Sequence, residues 1–459
     1  MPHSTNDRDF DDAVKQHVRD IEDELRKLSL SIHSHPELGW AEHHAHEVLT
    51  DYMESQEGFV VTRHAYDLPT AWSAVFESSS AEDTDELPTI GFNSEMDALK
   101  GLGHACGHNL IAIAGCASAI ATARTLKQFS LPGRVILLGT PAEEGGGGKA
   151  IMLDRSAYER MDACLMLHPG EGGSGNHGAG IMTSNCISGV TATFRGVSAH
   201  AGATPERAIN ALDAAFVAYA AISALRQQIP DGARVHGIIS GSDEWSSNVI
   251  PSKAVMNYGI RSPAASSLAE LIPRVLRCFE GAATATGCKL SLEREHLYLE
   301  LVQSSPLADT FAAAARRCWH SEEEPYEIDM HLKTGASTDF GNVSYACPAL
   351  HPMFNLPEAG PKDHPHSDSY ANTASLASSH EATLRASAAL SLTALQVLTS
   401  KSFREELRKA WKHDLEEIDA AHALKRLRAV LPDKRRPIPI GEDSHGSSEN
   451  GASSSCSCR

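Results

Sequence analysis

Apolar residues recur along this chain with two periods, and the order in which the periods alternate predicts its architecture. Residues 8–28 set Phe10, Val14, Val18, Ile21, Leu25 and Leu28 three or four apart, as in an amphipathic helix. The turn-bearing segment SHPELGW leads to a second helix over 41–54, where His43, His44 and His46 stand among glutamates and read as a solvated face. Short continuous apolar runs at 59–62, 74–76, 89–92, 134–139 and 163–167 read as strands, with Ala-rich or mixed helical stretches at 110–126 and 148–158. Buried strands alternating with helices predict an α/β unit with a largely parallel sheet.

The pattern changes after residue 182. Strands at 188–194, 235–240, 255–260 and 289–294 enclose helices over 205–229 and 268–286, a β-α-β-β-α-β order of the ferredoxin-like type. This α+β unit reads as an insertion over 183–297 in a larger domain formed by 1–182 and 298–400. The larger unit resumes with a helix over 306–319, a turn-rich loop at 337–343, a strand near 349–354 and a long helix over 374–398. Residues 401–428 form a charged helix, and 432–459, rich in Pro, Gly, Ser and charge, read as disordered.

A chain of 459 residues exceeds one compact core, in keeping with two units. Its net charge of −19 argues against a nucleic-acid partner and against an anionic membrane surface. No apolar run approaches the length of a membrane span, and MPHSTNDRDFDDAVKQ does not resemble a secretory leader. The ten cysteines are scattered singly and do not resemble a disulfide framework; a cytoplasmic location is the expectation.

Chemistry concentrates where the strands end. Glu95 and Asp97 follow the strand 89–92, with His104, Cys106 and His108 in the same loop; Glu143 and Glu144 follow 134–139; His168 follows 163–167. In open α/β sheets the ligand crevice lies beyond the carboxyl ends of the strands, so these groups are expected on one edge. Cys106, His108, Glu143, Glu144, His168 and His366 together offer thiolate, imidazole and carboxylate, a donor set for zinc or a similar divalent ion. Spacing alone leaves His104 open as ligand or turn residue, and His364 open against His366. The Glu143-Glu144 pair can divide its work, one carboxylate on the metal and one as general base. The four glycines that follow (145–148) would let backbone approach a ligand closely; they are not a phosphate loop, since Lys149 precedes Ala150. A Gly-x-Ser-x-Gly elbow is absent from the sequence, which disfavours a serine hydrolase.

At HPELGWAEHHAH, SEMDALKGLGHACGHNLIA, GTPAEEGGGGK, SAHAGATPERAINALDAAF, NVIPSKA and GASTDFGNVS the chain resembles the M20 metallopeptidase family, and more narrowly its amidohydrolase branch (M20D) with the hippurate and indole-acetyl-amino-acid hydrolases. The resemblance spans about 15–400. It implies a zinc-peptidase-like (phosphorylase/hydrolase-like) α/β catalytic domain with an inserted ferredoxin-like dimerisation lid, and a homodimer formed through that lid. It implies as metal ligands Cys106, His108, Glu144, His168 and His366, with Asp97 as an orienting carboxylate. Glu143 would be the general base, His200 would reach the partner subunit's site to hold the oxyanion, and Asn248 and Arg261 would hold the substrate carboxylate. One or two divalent ions are implied, with Zn first and Mn or Co as alternatives. The chain departs from the wider family at Glu95-Met96-Asp97, where a His-x-Asp pair is usual. The implied activity is hydrolysis of a dipeptide or N-acyl amino acid by metal-activated water. The alternatives are an ATP-independent amide-forming or acyl-transfer enzyme using the same site, and a non-catalytic binding dimer.

Overall fold

The computed structural model describes residues 7–78, 87–171, 178–241, 245–321, 324–360 and 363–435. Its central layer is a six-stranded sheet in the order Phe59–Arg63, Trp72–Ser78, Gly133–Thr140, Thr89–Glu95, Ala163–Leu165, Ala349–Leu350. The first three strands pair antiparallel and the remaining pairings are parallel. Every residue of Thr89–Glu95 is buried, as a strand covered on both faces requires. The strand runs three residues further than its apolar run, so Glu95 is its last residue and not part of the loop.

The helix His108–Gln128 packs along this strand. It is apolar on nearly all sides, and by length and composition it could cross a membrane, contrary to the sequence expectation of no such run. Here it is the core helix of the larger unit, with small alanine faces that let the sheet and the helix Ala377–Thr399 approach it. Gly107 stands at its N-cap with φ 80°, and a Cβ there would lie 2.5 Å from Pro169. That position therefore needs glycine for both conformation and space.

Three expected helices differ from their expected course, the third at the C-terminus. The stretch 8–28 divides into Asp7–Arg19 and Glu22–Ser34, although Val14, Val18, Ile21 and Leu25 still share one buried face. The helix expected over 205–229 is regular only over Ala211–Leu225, because the Asn210 side chain accepts from the Leu212 and Asp213 amides and starts the helix there. In the expected loop 337–343 a short helix, Phe340–Ser344, forms instead. A second four-stranded sheet is not legible in the sequence: Glu327–Leu332, Gly178–Met182, Pro352–Leu356 and His168–Glu171. Only Pro352–Leu356 falls on an expected strand, near 349–354; the other three are short, come from distant parts of the chain and have no local period.

The inserted unit has its own sheet, in the order Lys289–Tyr298, Cys186–Arg195, Lys253–Ser262, Arg234–Ser240, all antiparallel. The helices Ala211–Leu225 and Ala265–Thr286 cover one face and close a separate core around Phe194, Met256, Ile272 and Phe279. The charged C-terminal helix breaks at Asp419, whose φ is 49°, into Lys401–Glu417 and Ala420–Val430. The second piece adds Ala423 and Leu427 to the core of the inserted unit, and Leu431 follows them there. Burying each leucine is worth about 2 kcal/mol, so this segment is part of that core. Lys434 O accepts from Arg294 N at 2.9 Å, which places 432–435 beside the strand Lys289–Tyr298, against the expected disorder there. The rest of the expected disordered tail, 436–459, lies outside the described residues.

Candidate metal centre

Three strands deliver the candidate groups to one place. Thr89–Glu95 ends at Glu95 and is followed by Asp97; Gly133–Thr140 leads into Glu143 and Glu144; Ala163–Leu165 leads to His168. Cys106 and His108 sit at the start of the core helix. Ligand atoms of Cys106, His108 and His168 lie within 4.8 Å of one another, as do those of Cys106, Glu144 and His366 and those of His108, Glu143 and Glu144. Cys106 Sγ is 3.5 Å from His168 Nε2, and Glu144 Oε1 is 3.8 Å from His108 Nε2 and 3.6 Å from His366 Nε2.

His366 reaches this group in the left-handed region, φ 68°, with its amide donating to Ala105 O at 2.8 Å. His364, exposed like His366, is turned instead to Pro365 O. His104 is buried away from the group, stacked on His33 at 6.1 Å. Asp97 joins two of the candidates: its Oδ1 is 3.0 Å from His108 Nδ1, and its Oδ2 accepts from the Glu144 amide at 2.9 Å.

The donor set tests whether a cation fits. His108 Nε2 and Glu144 Oε1 are buried without a hydrogen-bond partner, although buried polar atoms are nearly always paired. They converge with a thiol and two further imidazoles. Sulfur, nitrogen and carboxylate oxygen in this arrangement suit zinc or a similar first-row ion.

The charges press on one another. Burial and the carboxylates of Glu95, Glu144 and Asp339 raise Glu143 well above the usual carboxylate range. Burial pushes His168 down to about 4, despite the opposing charge of Glu95. Burial and the Glu144 charge raise the Cys106 thiol. Burial disfavours charge on His108, but Glu95, Asp97 and Cys106 outweigh it and raise His108 on balance. A cation bound among these groups would replace their protons, the usual linkage of metal affinity to pH.

The Glu143-Glu144 turn is held from several sides. Ala142 has φ 55°, unusual for a residue with a Cβ, and its amide donates to Glu42 Oε1 at 2.7 Å. Tyr298 donates to Glu143 O at 2.6 Å and accepts from Gly147 N at 2.9 Å, tying the turn to the last strand of the inserted unit. Two of the glycines that follow serve the fold and not a ligand. A Cβ at Gly148 would lie 1.8 Å from Pro141 O, and one at Gly146 would meet Trp40 at 2.5 Å. A cleft of about 460 Å³ opens beside Asp97 and Glu144, lined also by Trp40 and Lys100 and by Glu295 and His296 of the inserted unit.

Several residues of this site are not legible in the sequence. Glu42 stands on a stretch whose polar pattern reads as solvated, yet it is fully buried, accepts from Thr70 Oγ1 at 2.6 Å, and is pushed up to about 8 by burial and Asp97. His46, a few residues on, is buried too and bonds Thr70 O at 2.9 Å. Lys149 and Asp339 form a buried ion pair at 2.6 Å. A Glu or His inside a polar run carries no local mark of burial, whereas Lys149 directly after four glycines offers a weak one.

The inserted unit's candidates are placed differently. His200 is exposed, with Nδ1 accepting from the Gly202 and Ala203 amides at 3.2 Å each, so Nε2 carries the proton. Asn248 is exposed, and its Oδ1 accepts from Ser246 Oγ at 2.5 Å. Among the described residues, neither joins the metal-ligand groups of this chain. Arg261 is half-buried and reaches across to the larger unit, donating to Ser337 Oγ at 3.1 Å.

Known proteins share this sequence pattern and fold. A model of peptidase family M20/M25/M40 matches residues 81–388. The Xaa-Arg dipeptidase of Mus musculus is 35% identical over 408 residues, covering 88% of this chain and 92% of its own. A p-aminobenzoyl-glutamate hydrolase polypeptide of Escherichia coli (strain K12) is 33% identical over 301 residues, 61% of this chain and 58% of that one. In structure, the aminobenzoyl-glutamate utilization protein of Klebsiella pneumoniae superposes with a TM-score of 0.62 at 20% identity, over 84% of this chain and 97% of that one.

Proposed function

The chain belongs to peptidase family M20/M25/M40, and from that premise we propose that the buried cluster is the active site of a metal-dependent amidohydrolase cleaving a dipeptide or an N-acyl amino acid. The observation that carries this reading is the convergence of Cys106, His108, Glu144, His168 and the exposed His366 on one place beside the Glu143 carboxylate. These five would hold the cation, for which the thiol-containing set favours zinc. A divalent ion bound there supplies Lewis acidity, making water a nucleophile near neutral pH and polarising the scissile carbonyl.

The chain's own groups do the rest. Glu143, crowded by negative neighbours, accepts a proton from the attacking water and passes it to the leaving amine. Asp97 orients His108 through Nδ1 and the Glu144 turn through its amide. The cleft between Trp40 and His296 receives the substrate. Arg261 and Asn248 are the candidates for its carboxylate, Arg261 being the better placed because it already bridges the two units. The relatives' names, a dipeptidase for Xaa-Arg and a hydrolase for an aroyl-glutamate, support a free amino acid as the leaving group.

A homodimer through the inserted unit is part of the proposal. The strand Arg234–Ser240 lies at the edge of its sheet, and Phe216, Tyr219 and Ile238 are large apolar side chains exposed on the same unit. His200, whose protonated Nε2 is not used by this chain's cluster, would then donate to the oxyanion in the partner subunit's site. The free thiols among the described residues support a cytoplasmic setting.

The test is a mass-spectrometric screen of zinc-replete protein against dipeptides, including those ending in arginine, and N-acyl amino acids. Release of a free amino acid is expected, with Glu143→Gln lowering kcat on the order of a thousandfold while zinc content stays unchanged. A zinc-loaded wild-type protein inert across the panel would overturn the reading.

A further inference from the structure

Glu95 has one oxygen that the fold uses and one that it leaves unpartnered. Oε1 accepts from Lys149 Nζ at 2.5 Å. Lys149 is itself fixed, donating to Asp339 Oδ1 from Nζ at 2.6 Å and to Asp339 Oδ2 from its amide at 2.8 Å. All three side chains are buried. A buried ammonium is stable only when paired, and here two carboxylates pair it. This clamp leaves the Glu95 carboxylate little freedom to turn.

The other oxygen, Oε2, is buried with no hydrogen-bond partner and lies 3.4 Å from His108 Nε2, which is equally without one. His108 Nδ1 faces Asp97 Oδ1, so Nδ1 keeps its proton and Nε2 is the nitrogen left to take a cation. The Glu95 oxygen and Nε2 lie together in a dry interior only with a positive charge between them, a proton in the metal-free protein or a cation that takes its place. Glu144 Oε1, the third unpartnered atom, is 3.8 Å from the same Nε2. Imidazole and two carboxylates therefore present unsatisfied atoms to one point.

We propose that Glu95 is an additional ligand of the cation on the His108 side of the cluster, and that Lys149 is the positioning residue that aims it. The residue that departs from the family's usual His-x-Asp pair would then contribute a ligand of its own. Lys149 has a second consequence. Glu95, Glu143 and Asp339 also offer oxygens within 4.8 Å of one another, but the Lys149 ammonium already bonds two of these three carboxylates and so takes the place of a cation among them.

The proposal rests on reading the cluster as a metal centre, and its test does not use turnover. Full-length wild type, Glu95→Gln and Asp339→Asn are titrated with zinc against a chromophoric chelator, and their cobalt(II)-loaded visible spectra are recorded. A glutamine at 95 keeps an oxygen for Lys149 and turns an amide N–H toward His108 Nε2, satisfying it without a cation. Zinc affinity is expected to fall at least tenfold in Glu95→Gln and the cobalt bands to shift, while Asp339→Asn, which disturbs only the Lys149 clamp, loses less and keeps the wild-type bands. If Glu95→Gln does not fold, as judged by circular dichroism, Glu95→Asp keeps the charge but shortens the reach and is expected to shift the same bands. Unchanged affinity and bands in the Glu95 variant, or equal losses in both variants, overturn the proposal. A protein that binds zinc as described but hydrolyses no substrate would count against the hydrolase reading alone.

Discussion

The candidate residues at the sheet ends and those of the inserted unit are held in opposite ways. On the sheet side, His108, Glu143 and Cys106 are buried and held by a second layer of Asp97, Glu42 and Tyr298, so their positions are set before any ligand arrives. In the inserted unit, His200 and Asn248 are exposed, and their side chains bond only within their own two loops, which pair with each other. The first set is ordered within one chain. The second holds a donor that stands apart from its own subunit's cluster. The difference teaches that packing within one chain assembles the candidate metal ligands, whereas on the proposed reading oxyanion binding calls for a second subunit.

Beyond the loss expected for Glu143→Gln, the largest effect separates the two sets directly. Replacing His200 with Ala should lower kcat roughly a hundredfold or more, as removal of an oxyanion donor does, with zinc content unchanged. Mixing His200→Ala with Glu143→Gln subunits should restore part of the activity, because one hybrid site then has both intact groups. No recovery in the mixture would place His200 in its own subunit's site and remove the contrast. A smaller effect is expected from charging the exposed apolar face: Phe216→Glu should shift the protein toward monomer in analytical ultracentrifugation, and activity should fall with the dimer while zinc content does not.

The smallest effect sharpens the sheet side alone. His380 is pushed down to about 4, first by burial and then by Arg26, and its Nε2 lies 3.0 Å from Glu22 O. Its folded value lies below the unfolded one of about 6.5, so the folded state binds fewer protons between them. The stability it contributes is present above about pH 6.5 and is lost as pH falls toward 4. Urea midpoints measured across that window should decline, and His380→Gln should show a shallower decline.

Legibility follows locality. The α/β alternation, the β-α-β-β-α-β insertion and the core helix at His108–Gln128 are visible in the sequence because each rests on a period repeated within one segment. The strand ends that carry Glu143, Glu144 and His168 are visible because apolar runs stop abruptly beside polar, metal-binding residue types. The sheet that joins His168–Glu171 to Pro352–Leu356 is not: a strand is expected near 349–354, but nothing local marks His168–Glu171 as its partner. Glu42, Lys149 and Asp339 escape notice for a related reason: a charge looks solvated until the group that neutralises it is known. The C-terminal segment reads as a charged helix and not as core because its apolar face, Ala423, Leu427 and Leu431, is narrow within a highly charged stretch.

What the sequence determined by itself was the donor chemistry and its order along the chain: a thiol and an imidazole in a glycine-flanked loop, a glutamate pair after a buried strand, and a histidine after the next. Tertiary structure alone decided which nitrogen and oxygen atoms face one another. It brought His366 and not His364 to Glu144, tied Oε1 of Glu95 to Lys149, and left Oε2 facing His108. Residue type and spacing are properties of the local chain, but an unpartnered lone pair is defined by everything packed around it, and those neighbours come from segments that only the fold brings together.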